Sequence, residues 1–185
     1  MSHGGIDLPP PAVRTVPANA ALAALARVLD GFNKLVLNLS MLALVATALI
    51  LTYSVVVRYF LHQPTDWQDD VSVFMLVGVI FLCAAYVQSL RGHIGIDAVA
   101  SILSPRANSI RMFVVDLISF LFCAFFSWKS WTLLHEAVAD GQTTSSTFAP
   151  PLWIPYSMMA LGMTMLTVQL LVQILTRFTG TKESA

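Results

Sequence analysis

Apolar residues run almost unbroken through four windows of the chain, 35–57, 71–90, 112–134 and 152–176. Each window stops at a charge, a histidine or a proline: Lys34 and Arg58, Asp70 and Arg91, Arg111 and His135, Pro151 and Arg177. A helix rises ~1.5 Å per residue and the hydrocarbon of a bilayer is ~30 Å thick, so ~20 apolar residues are enough to cross it. The pattern predicts four transmembrane helices.

Outside the windows the apolar positions become periodic. Leu22, Leu25, Leu29, Phe32 and Val36 recur at intervals of three and four, while Arg27, Asp30 and Lys34 fall off that stripe. This is the pattern of an amphipathic helix lying in the membrane plane, expected over 18–33. A shorter stripe, Ile96, Val99 and Leu103, stops where Ser104 and Pro105 can cap and open the next helix. The expected organisation is a flexible tail over 1–17, the in-plane helix over 18–33, a four-helix membrane domain over 34–177 and a C-terminal tail over 178–185. The fold class is an all-α membrane protein with in-plane amphipathic helices on one side.

Composition agrees with lipid as the solvent: 57% of the 185 residues are apolar and 11% charged, against ~45–50% apolar in soluble domains. Ten basic and ten acidic residues cancel, which leaves no electrostatic footprint for nucleic acid. Their distribution is informative. Eight of the ten Lys and Arg are Arg14, Arg27, Lys34, Arg91, Arg106, Arg111, Arg177 and Lys182, all on one side of a four-span chain. The positive-inside bias makes that side cytoplasmic and places both termini there. Trp67, Trp128, Trp131 and Trp153, with Tyr53, Tyr59 and Tyr156, lie towards the other side as interface anchors. The N-terminal segment lacks the basic start, unbroken apolar core and small-residue cleavage site of a secretory signal, so the first helix is expected to stay as an anchor.

Few residues carry chemistry. Cys83 and Cys123 sit inside apolar runs as small hydrophobes, with no CxxC or Cys/His cluster. No histidine lies at the centre of a span, as an axial haem ligand would require, and no hydrolase, zinc-protease or nucleotide-loop motif is present. Neither an enzyme nor a cofactor is expected. Asp116 and Lys129 share the third span but lie about 20 Å and about 220° apart, so they cannot pair on one straight helix. Lys129 is expected to snorkel outward beside Trp128 and Trp131. Gln169 and Gln173, one turn apart and one heptad beyond Gly162, form a face suited to packing against another helix, of this chain or of a partner. Between the first two spans, Thr65 and Gln68 match a capping box, and Asp69 and Asp70 complement the dipole of the helix it opens. Those two aspartates are also candidates for contact with a partner protein.

Three strings, RYFLHQPTDWQDD (58–70), LRGHIGID (90–97) and PPLWIPYSMM (150–159), resemble the small membrane subunit of tripartite ATP-independent periplasmic (TRAP) transporters. The resemblance spans about 35–176. Arg58, Trp67, Asp69, Asp70, Gly92, His93, Ile94, Ile96 and Asp97 occupy the places of the family's motifs, with aspartate at 69 and 70 where glutamate is commoner. It implies a multi-pass protein of the bacterial inner membrane that packs on a large permease subunit, with a soluble periplasmic binding protein as transient partner. It also implies uptake of organic acids, such as C4-dicarboxylates, keto acids or sugar acids like sialic acid, on a sodium gradient. Asp97 and His93 would fix the turn after the second span, Asp97 as a cap and His93 as a donor to a backbone carbonyl.

The chain itself has neither broken helices nor a central ionisable cluster on which to build a transport site. It is expected to act as a scaffold. Two other readings stand beside this one: a membrane anchor for an unrelated complex, and a small self-associating exporter. The exporter would need a carboxylate deep in its first span, and 35–57 has no acidic residue.

Overall fold

The computed structural model describes residues 16–17, 20–89, 105–179 and 181–182. Four helices carry the fold: α1 (Ala20–Val56), α2 (Trp67–Ser89), α3 (Pro105–Ala139) and α4 (Trp153–Thr179). All four are long and apolar enough to cross a bilayer. Val16–Pro17 and Thr181–Lys182 pair antiparallel over two residues, which brings the two ends of the described chain together at one end of the molecule. We call that the terminal end; the opposite, loop end carries the α1–α2 and α3–α4 connections.

The first helix departs from expectation. No boundary separates an in-plane helix over 18–33 from a span over 35–57, because α1 runs continuously for 37 residues. Nothing between Val28 and Val36 interrupts the ladder: Gly31 is a single glycine with open space around it, and no proline intervenes. At ~1.5 Å per residue α1 is about 55 Å long, well beyond the ~30 Å of hydrocarbon. It ends in a π-helical turn, Val57–Leu61, closed by His62 in the left-handed conformation. The stripe Ile96, Val99 and Leu103, the motif residues Gly92, His93 and Asp97, and most of the tails over 1–17 and 178–185 lie outside the described residues.

Other ends follow local chemistry. Pro105 opens α3, where its missing N–H is no loss. At the other end of α3, Gly141 takes φ +60 and Gln142 N–H donates to the Ala137 carbonyl at 3.0 Å, a Schellman closure. The loop that follows is tied to itself: Thr144 N–H donates to Pro150 O at 3.0 Å, and Leu152 N–H to Gln142 O at 2.9 Å. The capping box expected at Thr65 and Gln68 does not form. Because α2 begins at Trp67, Thr65 stands one position too early to cap it; its hydroxyl accepts from Arg58, and the buried Gln68 Oε1 has no partner.

Helices α1, α2, α4 and α3 pack in that spatial order, with extensive interfaces only between neighbours in the row. The helix that comes last in sequence is therefore central: 44% of its apolar window is buried, against 11% for α3 and 17% for α1. The buried faces are small and polar. On α1 they are Asn33, Ser40, Thr47 and Ser54, each seven residues from the last, flanked by Val36 and Val57; on α3, Asp116, Cys123, Ser130 and Ala137 repeat the same step. Seven-residue spacing keeps one seam against a neighbour, and small side chains let backbones approach where lipid supplies no hydrophobic drive. Thr47, Ser130 and Thr167 donate their hydroxyls within their own helices, to Ala43 O, Phe126 O and Met163 O, each at 2.8 Å.

Candidate functional site

The polar residues singled out from the sequence fall into three places. At the loop end, the π-helical turn carries Arg58 towards the start of α2, where its guanidinium donates to Thr65 Oγ1 at 2.6 Å and meets Asp69 Oδ2 at 3.3 Å. Both charged groups remain more than half exposed, so the pair is worth only ~0.2–1 kcal/mol. Asp70, one position on, points the other way and accepts a hydrogen bond from Ser146 of the α3–α4 loop, whose hydroxyl also meets Thr144 at 2.8 Å. The acidic pair therefore ties together three segments: Asp69 holds the α1–α2 turn and Asp70 the α3–α4 loop. Trp67 begins α2 with its ring half exposed.

Near that end, the aromatic residues divide. Trp131 Nε1 donates to Thr164 Oγ1 of α4 at 3.0 Å, and Ser127 meets the same hydroxyl at 2.9 Å, so Trp131 joins α3 to α4. Trp128 and Trp153 are exposed, and Lys129 lies with its Nζ 5.3 Å from the centre of the Trp128 ring. Its charge is thus held at an aromatic face. Tyr156 is half-buried in the first turn of α4.

The third place is the α2–α4 interface. Gln88 Nε2 donates to Gln173 Oε1 at 2.8 Å, and Gln173 Nε2 donates back to Gln88 O at 2.9 Å, both bonds buried. The amide face of α4 is thus turned, at Gln173, to another helix of this chain, and Gln169 is buried beside it. Two glycines bring these helices close. A Cβ on Gly162 would collide with the main chain of Phe81, and one on Gly78 would lie 2.7 Å from Met158 Sδ. Asp116 is buried on the inner face of α3, some 16 Å along the helix from Pro105.

Sequence reasoning missed Ser146, Thr164, Gln88 and Ser127. Ser146 and Thr164 act through partners 76 and 33 residues away, and nothing local marks them. The seven-residue spacing of small polar residues on α1 and α3 was a readable signal. Among the described residues no three His, Cys, Asp or Glu side chains converge as a metal site would need.

These features define an integral membrane protein whose polar residues at depth serve chiefly helix packing. The model of one family, tripartite ATP-independent periplasmic transporters, DctQ component, matches residues 47–180, more than half of the chain. The protein belongs to that family, the small permease component of TRAP transporters, which is a family of transporter components and not of enzymes. No curated protein and no solved structure matches it significantly.

Proposed function

We propose that this chain is the scaffold of a TRAP-type uptake system, packed along the large permease subunit in the bacterial inner membrane with both termini in the cytoplasm. One observation carries the reading: the helices stand in an open row whose outer members, α1 and α3, bury little of themselves within the chain. A row exposes two broad helical faces, a shape that suits lying against a larger partner. The charge at depth supports the same role, since Asp116 and Lys129 sit towards opposite ends of α3 and form no central cluster. On this reading the large subunit holds the solute and ion sites and moves an organic acid on a sodium gradient, and this chain steadies the part that stays still.

The test is sodium-driven uptake into liposomes holding the large subunit and the binding protein, with and without this chain. Uptake should fall at least tenfold without it, and full uptake in its absence would sink the proposal. A second contribution, contact with the periplasmic binding protein, is favoured by the exposure of Asp69 and Arg58 at the loop end. Reversing Asp69 to Lys should slow uptake most at low salt, where exposed charges steer encounters most strongly.

A further inference from the structure

Along α1, steps of three and four residues join Leu25, Val28, Phe32, Leu35, Leu39 and Leu42, and all six side chains are exposed. The same step continues through Ala46 to Tyr53. This stripe lies about 130° around the helix from the seam of Asn33, Ser40 and Thr47 that faces α2. Within hydrocarbon an exposed leucine is covered by lipid and carries no message. The stripe, however, outruns the hydrocarbon. With Arg58 at the loop-end border, a helix tilted by ~20° leaves a ~30 Å core after about 21 residues, near Leu37. At ~40°, the top of the range for membrane helices, it leaves after about 26, near Phe32. Leu25 and Val28 lie beyond it in either case, 42% and 69% exposed. A kink that would lay them back on the membrane surface needs a proline, a π-bulge or a glycine–serine pair, and α1 is continuous there without one. Among the described residues α3 has nothing comparable: outside its apolar window only Ile110 and Val138 are exposed large hydrophobics, one at each end.

We infer that this stripe of α1 is the seat of a long helix of the large permease subunit, which runs beside α1 through the membrane and out past its terminal end. On the scaffold reading, on which this rests, α1 and not α3 is the outer helix that docks. Lipid tails cannot follow the stripe past the hydrocarbon, whereas a helix can. A seven-residue repeat is the register that keeps two helices in contact over such a length. A second copy of this chain fits poorly. Two copies share one orientation in a membrane, so a two-fold pair about the membrane normal would meet like with like: Phe32 on Phe32, Ala46 on Ala46 and Tyr53 on Tyr53. Bulk would crowd at the two aromatic levels and a gap would open at Ala46. A different helix can answer Phe32 and Tyr53 with small residues and Ala46 with a large one, as close-packed seams require.

The test uses membranes in which the full-length chain and the large subunit are made together, with a photo-crosslinking amino acid placed at one position at a time. Val28 and Leu42 should capture the large subunit at least tenfold more often than Met41, which is also exposed but lies about 100° around the helix from Leu42. Val28→Asp should cut copurification of the large subunit at least tenfold, because it puts a charge into an apolar contact. Arg27→Gln, off the stripe, should leave it unchanged. Val28 is exposed within the chain, so the Val28→Asp protein should melt alone as the parent does. Capture of the large subunit from Ile118 of α3, with lipid trapped at Val28 and Leu42, would overturn the inference and leave the scaffold reading standing. A small-subunit dimer captured at Val28 would overturn it too, as would undiminished copurification of Val28→Asp. No capture from either helix, together with no copurification, would sink the scaffold reading itself and this inference with it.

Discussion

The two sides of α2 are built differently. Towards α4, close approach and polar satisfaction coincide: Gly162 admits the Phe81 main chain, and Gln88 and Gln173 exchange two hydrogen bonds. Towards α1, burial runs ahead of satisfaction. Both amide atoms of Asn33, which is 1% exposed, lack a partner, as do Gln68 Oε1 and Ser72 Oγ of α2. A buried polar atom without a hydrogen bond costs ~1–3 kcal/mol, so the α1 seam carries a penalty that the α4 seam does not. Helix α4 is therefore the spine of the row, and of the two flanks of α2 the one towards α1 is the less well satisfied.

The largest effect should come from closing the space at Gly162. Gly162→Leu forces a side chain into the Phe81 backbone, which cannot swing aside as a flexible side-chain tip would, and the helices must separate. A loss of ~3 kcal/mol or more is expected, visible as a collapse of the folded fraction in detergent on heating; a melting curve like the parent's would mean that α2 and α4 are not in contact there.

Next comes the amide pair. Gln173→Leu takes from Gln88 the two hydrogen bonds that cross to α4, at a cost of ~1–3 kcal/mol. The double variant Gln88→Leu with Gln173→Leu should recover part of that loss, because it also removes the side-chain amide that had faced Gln173. A thermal-stability cycle over the four proteins measures the coupling, and additive single losses would count against the exchanged bonds.

The α1 seam should respond with the opposite sign. Asn33→Leu removes two unpartnered buried atoms and should be neutral or stabilising by ~1 kcal/mol in the isolated chain. A marked destabilisation there would erase the contrast between the two seams. The smallest effect belongs to the loop end. Asp69→Asn breaks an exposed pair worth at most ~1 kcal/mol, and its shift in melting temperature should shrink further as salt is raised.

Much of this architecture was legible without coordinates. The four spans were readable because a helix in lipid satisfies its own backbone and needs only length and apolar composition, both local properties. The continuity of α1 was not legible for a related reason. An amphipathic stripe and a uniformly apolar span look like two elements, yet residues 28–36 contain nothing that stops a helix, so the backbone joins them. The capping box failed through register: α2 starts at Trp67, not one residue earlier, and that frees Thr65 to bind Arg58.

The candidate site divides in the same way. Arg58, Trp67, Asp69 and Asp70 lie close together in the chain, at the π-helical turn and the start of α2. What each does was not readable, because Asp70 is answered by Ser146 from 76 residues away. Gln173 pointed to a packing face, while Gln88, its partner across 85 residues, carried no mark of its own.

From sequence alone come the number of helices and the apolar windows that carry them, since each depends on the composition of one segment in its solvent. The order in which the helices stand, the central place of α4 and the closeness of Gly162 to Phe81 emerge only in three dimensions. In hydrocarbon every helix surface is apolar enough to face lipid or a neighbour, so burial no longer marks the core. Which faces meet is decided by small steric gaps and a few hydrogen bonds between residues far apart in the chain.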